Sequence, residues 1–498
     1  MSVTKPKVDP YIDIVGLPSP LRRDQRFMFQ VSPLRFAAFF AFIPFWLGAI
    51  MPLTIFYQVT TRVLRKLGIL EPHPRPPLDS GHIKAPETIQ PRKDRKYDIV
   101  VLGVTGFTGR LAARHLAQKY GAEGKIIKWA IAGRNKAKVE AVRKSLAEEL
   151  KMPKIVTEID IIVADTSDPN TMPALVEDTR AVATTAGPYQ EYGNTVVEFC
   201  AKYGTHYTDI TGEVGWVKQM MVQHGETAKS TGAKIVPFCG HDCIPWDLSV
   251  MKLQQLLKDE FNDDLKTVKV WDEALMQAPG GTYQTAMLSL SGNGLYPWTA
   301  PFVMALINAK IVRWTYALRQ QGEKKISYRE TQVHRDFMTA FTVYVGTMIL
   351  GSSLLNPLTK WLAYQFILPL PGNGPSSENL EKTNYLLVTA EGVGTNGNRV
   401  ESTFYLPKDP GCLETAKMMV EAGLAMALHE TNNGEGKGKK ELPSGNDGGF
   451  FPPAACLGDV LLDRLIDVGI EYKVRTVAKP EPTIKDKEED VKPKDKDA

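Results

Sequence analysis

The segment 98–110, DIVVLGVTGFTGR, constrains the fold more than any other part of the sequence. Residues 99–102 form an apolar run that is too short for a helix and typical of a buried parallel strand. Three glycines follow at a regular spacing: Gly103, Gly106 and Gly109. Residues 110–119 then have the pattern of a helix. A strand, a glycine turn and a helix predict a dinucleotide site, because glycine permits the tight turn and the close approach of a pyrophosphate.

The residues of this glycine turn are predicted to bind the phosphates of a cofactor. The start of a helix presents free N–H groups and the positive end of its dipole to an anion. The predicted contacts are Gly103, Thr105, Gly106, Phe107, Thr108 and Gly109. The spacing is GxxGxxG rather than GxGxxG, so the prediction depends on the flanking strand and helix.

Residues 97–238 alternate between predicted strands and predicted helices. The strands are 99–102, 126–132, 159–164, 181–185, 206–210 and 234–238, and helices at 110–119, 135–150, 169–177, 194–203 and 214–230 separate them. This alternation predicts an α/β fold with a Rossmann-type, doubly wound parallel sheet. After residue 240 the rhythm changes to a helix at 246–258, a strand at 268–274, a turn at 278–281, paired strands at 385–390 and 399–406, and a helix at 413–429. That pattern predicts a second, α+β domain.

We therefore divide the chain into five predicted parts. They are an N-terminal extension (1–96), a Rossmann domain (97–240), a second domain for the substrate (241–412), C-terminal helices that complete the fold (413–478) and a charged, disordered tail (479–498). Residues 432–449 read as a charged, glycine-rich loop. Residues 70–96 form a proline-rich linker with a basic end, which could touch anionic lipid headgroups.

The N-terminal extension contains an uncharged stretch, Phe36–Tyr57, that is long enough to span a membrane. Basic residues flank it on both sides, so the distribution of charge does not choose an orientation. Pro44 and Pro52 lie inside it and are expected to kink or break a helix. A true span, a monotopic segment and a buried core helix are the three interpretations, and we favour the monotopic one. A second apolar stretch, 337–370, could be a span, an interfacial patch or the wall of a ligand site.

Composition excludes several classes of function. The net charge of +4 is small and forms no basic stripe, so no nucleic-acid partner is expected. The five cysteines are scattered, which indicates reduced thiols rather than a disulfide framework. Cys239 and Cys243 lack a second Cys or His pair at zinc spacing, so no metal is expected.

The residue that follows the second predicted strand indicates the choice of cofactor. Arg134 stands where an NAD site would place Asp or Glu. Because a guanidinium can bind a 2′-phosphate by two charge-assisted hydrogen bonds, we expect NADP. The alternative is a surface arginine at a helix start, where the dipole disfavours it. Asp165 ends the third strand and could meet the adenine edge or cap the next helix.

Candidate catalytic residues follow the fourth and sixth predicted strands. Gly187 is expected to contact the cofactor, and Tyr189 and Tyr192 could donate a proton or line the nicotinamide site, although packing is the alternative for both tyrosines. His241 and Asp242 could serve proton transfer. No Ser/His/Asp set and no Tyr-x-x-x-Lys pair supports a more definite assignment.

From Tyr97 to about Val474 the chain resembles the saccharopine dehydrogenase-like oxidoreductases. The motifs that carry the resemblance are GVTGFTG at 103–109, AGR at 132–134, GPY at 187–189 with YG at 192–193, DITGE at 209–213, GNGP at 372–375 and GGFFPP at 448–453. The loop 240–247 is similar to the family's GFDSIPxD, with His241 in place of Phe and Cys243 in place of Ser. The N-terminal extension does not match the family.

The resemblance implies a Rossmann domain, a discontinuous second domain, NADP as cofactor and association with lipid droplets or other membranes. Members such as the bacterial trans-acting enoyl reductases reduce a carbon–carbon double bond in glycolipid synthesis. True saccharopine reductases bind an amino acid with several charges. The loops here carry no arginine cluster for that ligand, so a saccharopine-type amino-acid dehydrogenase is the less favoured function.

We therefore expect an NADP-dependent oxidoreductase that acts on a lipid or glycolipid-type substrate. Its catalytic domain should face the cytosol at a lipid droplet, the endoplasmic reticulum or the plasma membrane. The alternative is a non-catalytic lipid-surface protein that keeps NADP binding. The sequence leaves the substrate, the direction of reaction and association into a homo-oligomer open.

Overall fold

The computed structural model describes residues 32–70, 86–275, 298–300, 302, 304–320, 325–334, 337–366, 374–376, 378–429 and 441–477. The predicted turn at 278–281, the first half of the predicted loop at 432–449 (residues 432–440) and the charged tail at 479–498 lie outside these ranges. The described helices are Pro33–Phe45, Met51–Lys66, Phe107–Tyr120, Lys136–Leu150, Lys154–Glu158, Pro173–Val176, Tyr189–Tyr192, Asn194–Tyr203, Val214–Thr231, Ile244–Phe261, Ala305–Gln320, Phe337–Leu354, Pro357–Phe366, Thr415–His429 and Pro453–Asp467.

The first sheet is parallel and has seven strands. They are β1 (Tyr97–Leu102), β2 (Trp129–Gly133), β3 (Asp160–Val163), β4 (Thr179–Thr184), β5 (His206–Asp209), β6 (Lys234–Val236) and β12 (Gly449–Phe450), in the spatial order β12-β6-β5-β4-β1-β2-β3. The strand order reverses between β1 and β4, which is the switch point of a doubly wound sheet. The predicted Rossmann-type sheet is therefore confirmed.

The second sheet is mixed. It contains β7 (Leu265–Leu275), β8 (Trp298–Ala300), β9 (Ser327–His334), β10 (Tyr385–Gly394), β11 (Arg399–Leu406) and β13 (Glu471–Val477), in the order β13-β11-β10-β7-β9-β8. Only β7 and β9 pair in parallel within it. The expected pairing of the strands at 385–390 and 399–406 is confirmed, with Val388 opposite Phe404.

The helix Thr415–His429 covers the first sheet and is buried along most of its length. Glycine at 423 allows this close packing, since a Cβ there would lie only 2.9 Å from Cδ1 of Ile99. The hydroxyl of Thr208 on β5 donates a hydrogen bond of 3.2 Å to the backbone oxygen of Met419. A segment from the end of the chain thus completes the core that β1 begins.

Two helices differ from the sequence-based expectation because of proline. The predicted helix at 169–177 is a 3-10 turn, Pro169–Thr171, followed by the short helix Pro173–Val176. The predicted apolar stretch after residue 337 is divided into Phe337–Leu354 and Pro357–Phe366. Asn356 begins the second of these helices by accepting a hydrogen bond from the backbone N–H of Leu358 (2.9 Å). A proline has no N–H with which to continue the preceding helix.

The apolar segment near the N-terminus is one continuous run of helical turns, Pro33–Lys66, instead of a helix broken at its prolines. A π-helical turn, Trp46–Ile50, lies between its two α-helical parts, and the N–H of Met51 donates to the oxygen of Trp46, five residues back. A π turn of this kind re-routes the hydrogen bonds around Pro52. Together with Phe337–Leu354, this helix is long and apolar enough to cross a membrane by length and composition.

Candidate functional site

The glycine turn leaves β1 at Gly103, whose φ of +89° favours glycine. A Cβ at Gly103 would lie 2.9 Å from the Oγ1 of Thr185, and one at Gly109 would lie 2.3 Å from the oxygen of Gly103. The same test at Gly106 gives only a 3.3 Å contact with that oxygen. A side chain at Gly103 or Gly109 would thus collide with the protein, whereas the exposed Gly106 leaves room for a bound group.

The helix that follows the turn begins without a side-chain cap. Gly106 is its N-cap residue, and no side chain accepts from the first N–H groups. The N–H of Gly106 itself donates to the oxygen of Gly103 (3.0 Å) and closes the turn. Uncapped N–H groups at a helix start attract an anion, so the turn fits the pyrophosphate of a dinucleotide.

Arg134 lies beside this turn, immediately after β2. Its side chain is exposed and forms no ion pair with any residue that the structure describes. The backbone N–H of Gly103 donates to the oxygen of Ala132 (3.1 Å), which holds the ends of β1 and β2 together. Lys136 and Lys138 are exposed just beyond it. An unpaired guanidinium next to a phosphate site fits the 2′-phosphate of NADP.

Asp165 is placed in the turn after β3, where its carboxylate accepts from the N–H of Ser167 (3.0 Å). The following 3-10 turn is capped by Asp168 instead. The half-buried Asp165 therefore lies at the same edge of the sheet as Arg134, and its contact with adenine stays a prediction.

The loop after β4 places the two candidate tyrosines in different surroundings. The hydroxyl of Tyr189 is buried, donates to the oxygen of Thr184 (3.0 Å) and accepts from the N–H of Ile210 (3.3 Å). Burial raises its pKa well above the ordinary value. Tyr192 is half-buried, and its hydroxyl has no hydrogen bond within the described ranges. Tyr192 is thus the tyrosine whose hydroxyl is available, while the contacts of Tyr189 fit the packing role that the sequence left open.

Glu213 anchors this loop, a role that sequence reasoning missed. Its carboxylate accepts from the N–H of Tyr189 (3.0 Å) and from the N–H of Gln190 (2.8 Å). These two N–H groups lie at the start of the short helix after β4, whereas Glu213 itself follows β5. Burial raises the pKa of Glu213, and these two N–H groups lower it. The exposed Gly187 stands just before the anchored segment, at the switch point beside the glycine turn.

His241 and Asp242 lie together after β6. The ring Nδ1 of the buried His241 is 3.0 Å from the Oγ1 of Thr415, which also accepts from the His241 N–H and donates to the oxygen of Pro410 (2.8 Å). Nε2 is 2.9 Å from the Oδ1 of Asp242, although the two atoms are not aligned as a hydrogen bond. Thr415 therefore fixes the ring, and the role of the pair in proton transfer stays a prediction.

The second domain and the C-terminal part of the chain close over the glycine turn. Gly374 lies against the ring of Phe107, since a Cβ on Gly374 would be 2.3 Å from that ring. The hydroxyl of Thr108 lies close to the thiol of Cys412 and lowers its pKa, although burial raises that pKa overall. The ring of Phe107 thus contacts this cover, and contact of Phe107 and Thr108 with a phosphate stays a prediction. Thr105 is exposed at the turn.

A pair of buried carboxylates lies behind the loop that carries His241. Asp272 on β7 accepts from the indole N–H of Trp246 (2.9 Å), and Glu330 on β9 accepts from Tyr328 (2.6 Å) and Asn308 (2.8 Å). Burial raises the pKa of Glu330 to about 8. Burial, and then the charge of Glu330, also raise the pKa of Asp272. At neutral pH this pair holds at least one proton.

The strand order arranges these groups in a row along the carboxyl edge of the first sheet. Arg134 follows β2, the glycine turn follows β1, the tyrosine loop follows β4, Glu213 follows β5, and His241 follows β6. An extended dinucleotide could lie across the first three of these positions, with its 2′-phosphate at Arg134 and its nicotinamide near Gly187. The residues present therefore fit NADP. Among the described residues, no group of His, Cys, Asp or Glu could hold a metal ion.

The sequence pattern of one protein family, the saccharopine dehydrogenase NADP binding domain, matches residues 99–236. These residues run from β1 to β6 and include the glycine turn and Arg134.

Curated relatives cover more of the chain. The trans-acting enoyl reductase of Mycobacterium tuberculosis is 30% identical over 430 residues, which is 76% of this chain and 97% of the relative. The enzyme of the same name from Mycobacterium ulcerans is 31% identical over 428 residues, again 76% of this chain and 97% of the relative. A solved structure of saccharopine dehydrogenase (L-Glu forming) from Saccharomyces cerevisiae covers 76% of this chain and 99% of its own, at 13% identity and a TM-score of 0.45. That last likeness is too distant to bear on function.

Proposed function

Since the chain belongs to the saccharopine dehydrogenase-like family of oxidoreductases, which includes the trans-acting enoyl reductases, we propose that it reduces a carbon–carbon double bond of a lipid-like substrate with NADPH. We also propose that it works at the surface of a membrane or a lipid droplet, with its two sheets in the cytosol. Bound NADPH would supply the hydride, and the chain would bind the substrate, orient it and supply the proton.

One observation carries the reductase proposal: open polar groups lie in a row along the carboxyl edge of the first sheet. Arg134 is unpaired within the described chain, and the helix start after Gly106 is uncapped. Tyr192 has an available hydroxyl one strand away from that turn. We assign Arg134 to the 2′-phosphate, the helix start to the pyrophosphate and Tyr192 to donation of the proton that accompanies hydride transfer.

The apolar helices support a lipid-like substrate and attachment to a lipid surface. Pro33–Lys66 and Phe337–Leu354 expose large side chains, among them Phe40, Phe45 and Phe56. Groups of exposed, large apolar side chains mark an interaction with a membrane or a protein. The helix Phe337–Leu354 follows β9 of the second sheet and precedes the segment at Gly374 that covers the glycine turn. The helix proposed to hold a lipid is therefore close in the sequence to the segment that covers the candidate site.

The test is transfer of a label from the cofactor. Full-length protein in neutral detergent is mixed with NADPH that carries deuterium at C4 and with a panel of long-chain lipids in which a double bond is conjugated to an ester, thioester or ketone. One substrate class should gain one deuterium per NADPH consumed. Tyr192→Phe should lower kcat by roughly 10²- to 10⁴-fold with NADPH affinity unchanged. Tyr203→Phe, at a half-buried tyrosine outside the site, should behave as wild type.

A non-catalytic NADP-binding protein of the lipid surface is the second candidate function. The observation that favours it is that Tyr189 and His241 are both tied into structural hydrogen bonds. Tight NADPH binding without deuterium transfer to any lipid of the panel, together with an unchanged lipid profile in cells that lack the protein, would support this candidate against the reductase.

A further inference from the structure

The two apolar parts of the chain form one body, which we call the helical module and define as residues 33–66 and 337–366. The ring of Phe36 lies 5.8 Å from the ring of Phe341, centroid to centroid, and the Phe39 ring lies 3.8 Å from the Cβ position of Gly346. At the other end, the side-chain amide of Gln58 donates to the oxygen of Leu355 (2.7 Å). Segments almost three hundred residues apart in sequence therefore pack along each other.

The helical module carries only positive charge. It contains five basic residues and not a single Asp or Glu: Arg35, Arg62, Arg65, Lys66 and Lys360. None of these five forms an ion pair with a residue that the structure describes. A module that combines exposed apolar side chains with unpaired cations is complementary to a surface of anionic lipid.

Two of these cations line a cavity of about 290 Å³ between the two parts of the helical module. Arg65 enters it from the last turn of Met51–Lys66, and Lys360 enters it from the first turn of Pro357–Phe366. Its other walls include Tyr57, Gln58, Leu354 and Leu355. The cavity thus has two charged groups and an apolar side.

No residue of the described lining has a charge opposite to that of Arg65. Its Nε is buried, and no acceptor among the described residues meets it. A bound acceptor would satisfy this N–H group. Arginine binds phosphate oxygens by two parallel hydrogen bonds, and lysine adds a point charge.

We propose that the cavity binds the headgroup phosphate of one anionic phospholipid, with Arg65 and Lys360 on the phosphate oxygens and the acyl chains beside Leu354 and Leu355. The apolar wall favours a lipid over free phosphate. The site rests on the proposed membrane attachment and gives it chemical specificity. It would fix the helical module at the level of the headgroups.

The experiment uses full-length protein in neutral detergent, so it does not depend on whether the protein binds membranes. Short-chain phosphatidic acid, short-chain phosphatidylcholine and inorganic phosphate are each titrated against wild type, Arg65→Gln and Arg62→Gln. Arg62 is an exposed cation on the same helix and is absent from the cavity lining, so it controls for loss of charge. Affinity for NADPH reports whether each variant is folded.

We expect phosphatidic acid to saturate one site, and Arg65→Gln to weaken it at least tenfold, while Arg62→Gln changes the affinity by less than about threefold. NADPH affinity should be unchanged in both variants. An equal loss in the two variants would show general attraction to charge and overturn the site. Inorganic phosphate that binds as tightly as the lipid would identify a phosphate site and overturn the lipid. If the protein stays on membranes while phosphatidic acid fails to bind, the site is wrong and the membrane attachment stands.

Discussion

A side chain at Gly106 would occupy the space for the cofactor, whereas a side chain at Gly109 would collide with the protein. Substitutions at the two glycines therefore test cofactor binding and folding separately. Gly106→Val adds a side chain at an exposed position of the turn, so it should weaken NADPH at least tenfold, about 1.4 kcal/mol, with little change in melting temperature. Gly109→Val would drive a Cβ to 2.3 Å from the oxygen of Gly103 and should destabilise the fold by about 1–3 kcal/mol or more. Cofactor titration and thermal unfolding of both variants check this. Normal NADPH binding by Gly106→Val would place the cofactor elsewhere.

Arg134 should decide between NADPH and NADH. A charge-assisted pair with the 2′-phosphate contributes about 1.5–3 kcal/mol, so Arg134→Ala should weaken NADPH roughly ten- to a hundredfold and leave NADH unchanged. Lys144→Ala removes the same charge from an exposed position farther along the helix and should have little effect. Fluorescence titration of both cofactors measures the ratio. Equal affinities for NADPH and NADH in wild type would contradict the assignment.

Glu330 should make stability depend on pH. Its pKa rises to about 8 in the folded chain, so between the ordinary value of 4.5 and about 8 the folded state binds more protons than the unfolded state. Stability should therefore fall as pH rises through this window, by about 1.4 kcal/mol per pH unit for each proton. Glu330→Gln should reduce the slope of unfolding free energy against pH by about the contribution of one proton.

Urea unfolding at pH 5, 6, 7 and 8 measures the slope for wild type and Glu330→Gln. Glutamine keeps an acceptor for Asn308 and a polar partner for Tyr328, so the variant should fold. Glu148→Gln, at an exposed carboxylate, is the matched control and should keep the wild-type slope. A slope that is identical in Glu330→Gln and wild type would refute the shifted pKa.

The sequence shows more of the surroundings of the candidate cofactor residues than of the candidate catalytic residues, for a physical reason. The glycine turn and Arg134 depend on neighbours within a few residues, which a local pattern reveals. The hydrogen-bond partner of His241 is Thr415, and those of Tyr189 include Ile210 and Glu213. The fold brings these partners together from distant parts of the sequence. Local spacing contains no sign of such partners.

At the scale of elements, six of the seven strands of the parallel sheet were predicted, because they alternate with helical patterns. β12 was missed, since Gly449 falls in a stretch that reads as a glycine-rich loop. β9 was missed, since its buried face carries Tyr328 and Glu330 and its sequence reads as polar. The helix through Pro44 and Pro52 was expected to kink or break at its prolines, and it does not break. The π turn before Pro52 shows how the chain keeps its helical course, and proline content alone could not reveal that turn.

The two ends of the helix Pro33–Lys66 lie at opposite ends of the helix Phe337–Leu354. Its first turn touches Phe337 and Phe341, close after β9 of the second sheet. After Lys66 the sequence continues through a polar, proline-rich segment to Arg92, whose guanidinium donates to the oxygen of Gly204 (2.8 Å). Its last turns lie beside Leu355, and the monotopic arrangement of the helical module stays a prediction.

Protease added to the cytosolic face of sealed membranes should digest tags at residue 1 and at residue 498 alike. Washing with salt should not release the protein, because burial of its apolar side chains contributes about 25 cal/mol per Å². A chain that begins at residue 86 keeps only Phe337–Phe366 of the helical module and should lose most membrane affinity. Protection of the N-terminal tag alone would show a true span.

At the scale of the whole molecule, the Rossmann sheet depends on residues from the other end of the chain. The helix Thr415–His429 lies across β1, β4 and β5, and β12 pairs with β6. Glu421 on that helix accepts from Tyr120 (2.8 Å) and lies 2.7 Å from the Nε2 of His115, both on the helix after the glycine turn. The cofactor half of the fold is thus assembled from two distant parts of the sequence.

A fragment of residues 97–240 should therefore fail to fold. It lacks the buried side chains of Met418, Met419, Leu424 and Met426, each worth about 1.5–3 kcal/mol, and their sum of about 6–12 kcal/mol equals the net stability of a typical domain. Its circular dichroism should show no cooperative melt, whereas a chain from residue 86 to 498 in detergent should melt cooperatively and gain stability with NADPH. A sharp melt of the fragment that shifts upward with NADPH would show that the sheet is stable without its C-terminal cover. Because that cover also supplies Thr415 to His241, loss of folding and loss of the candidate site should occur together.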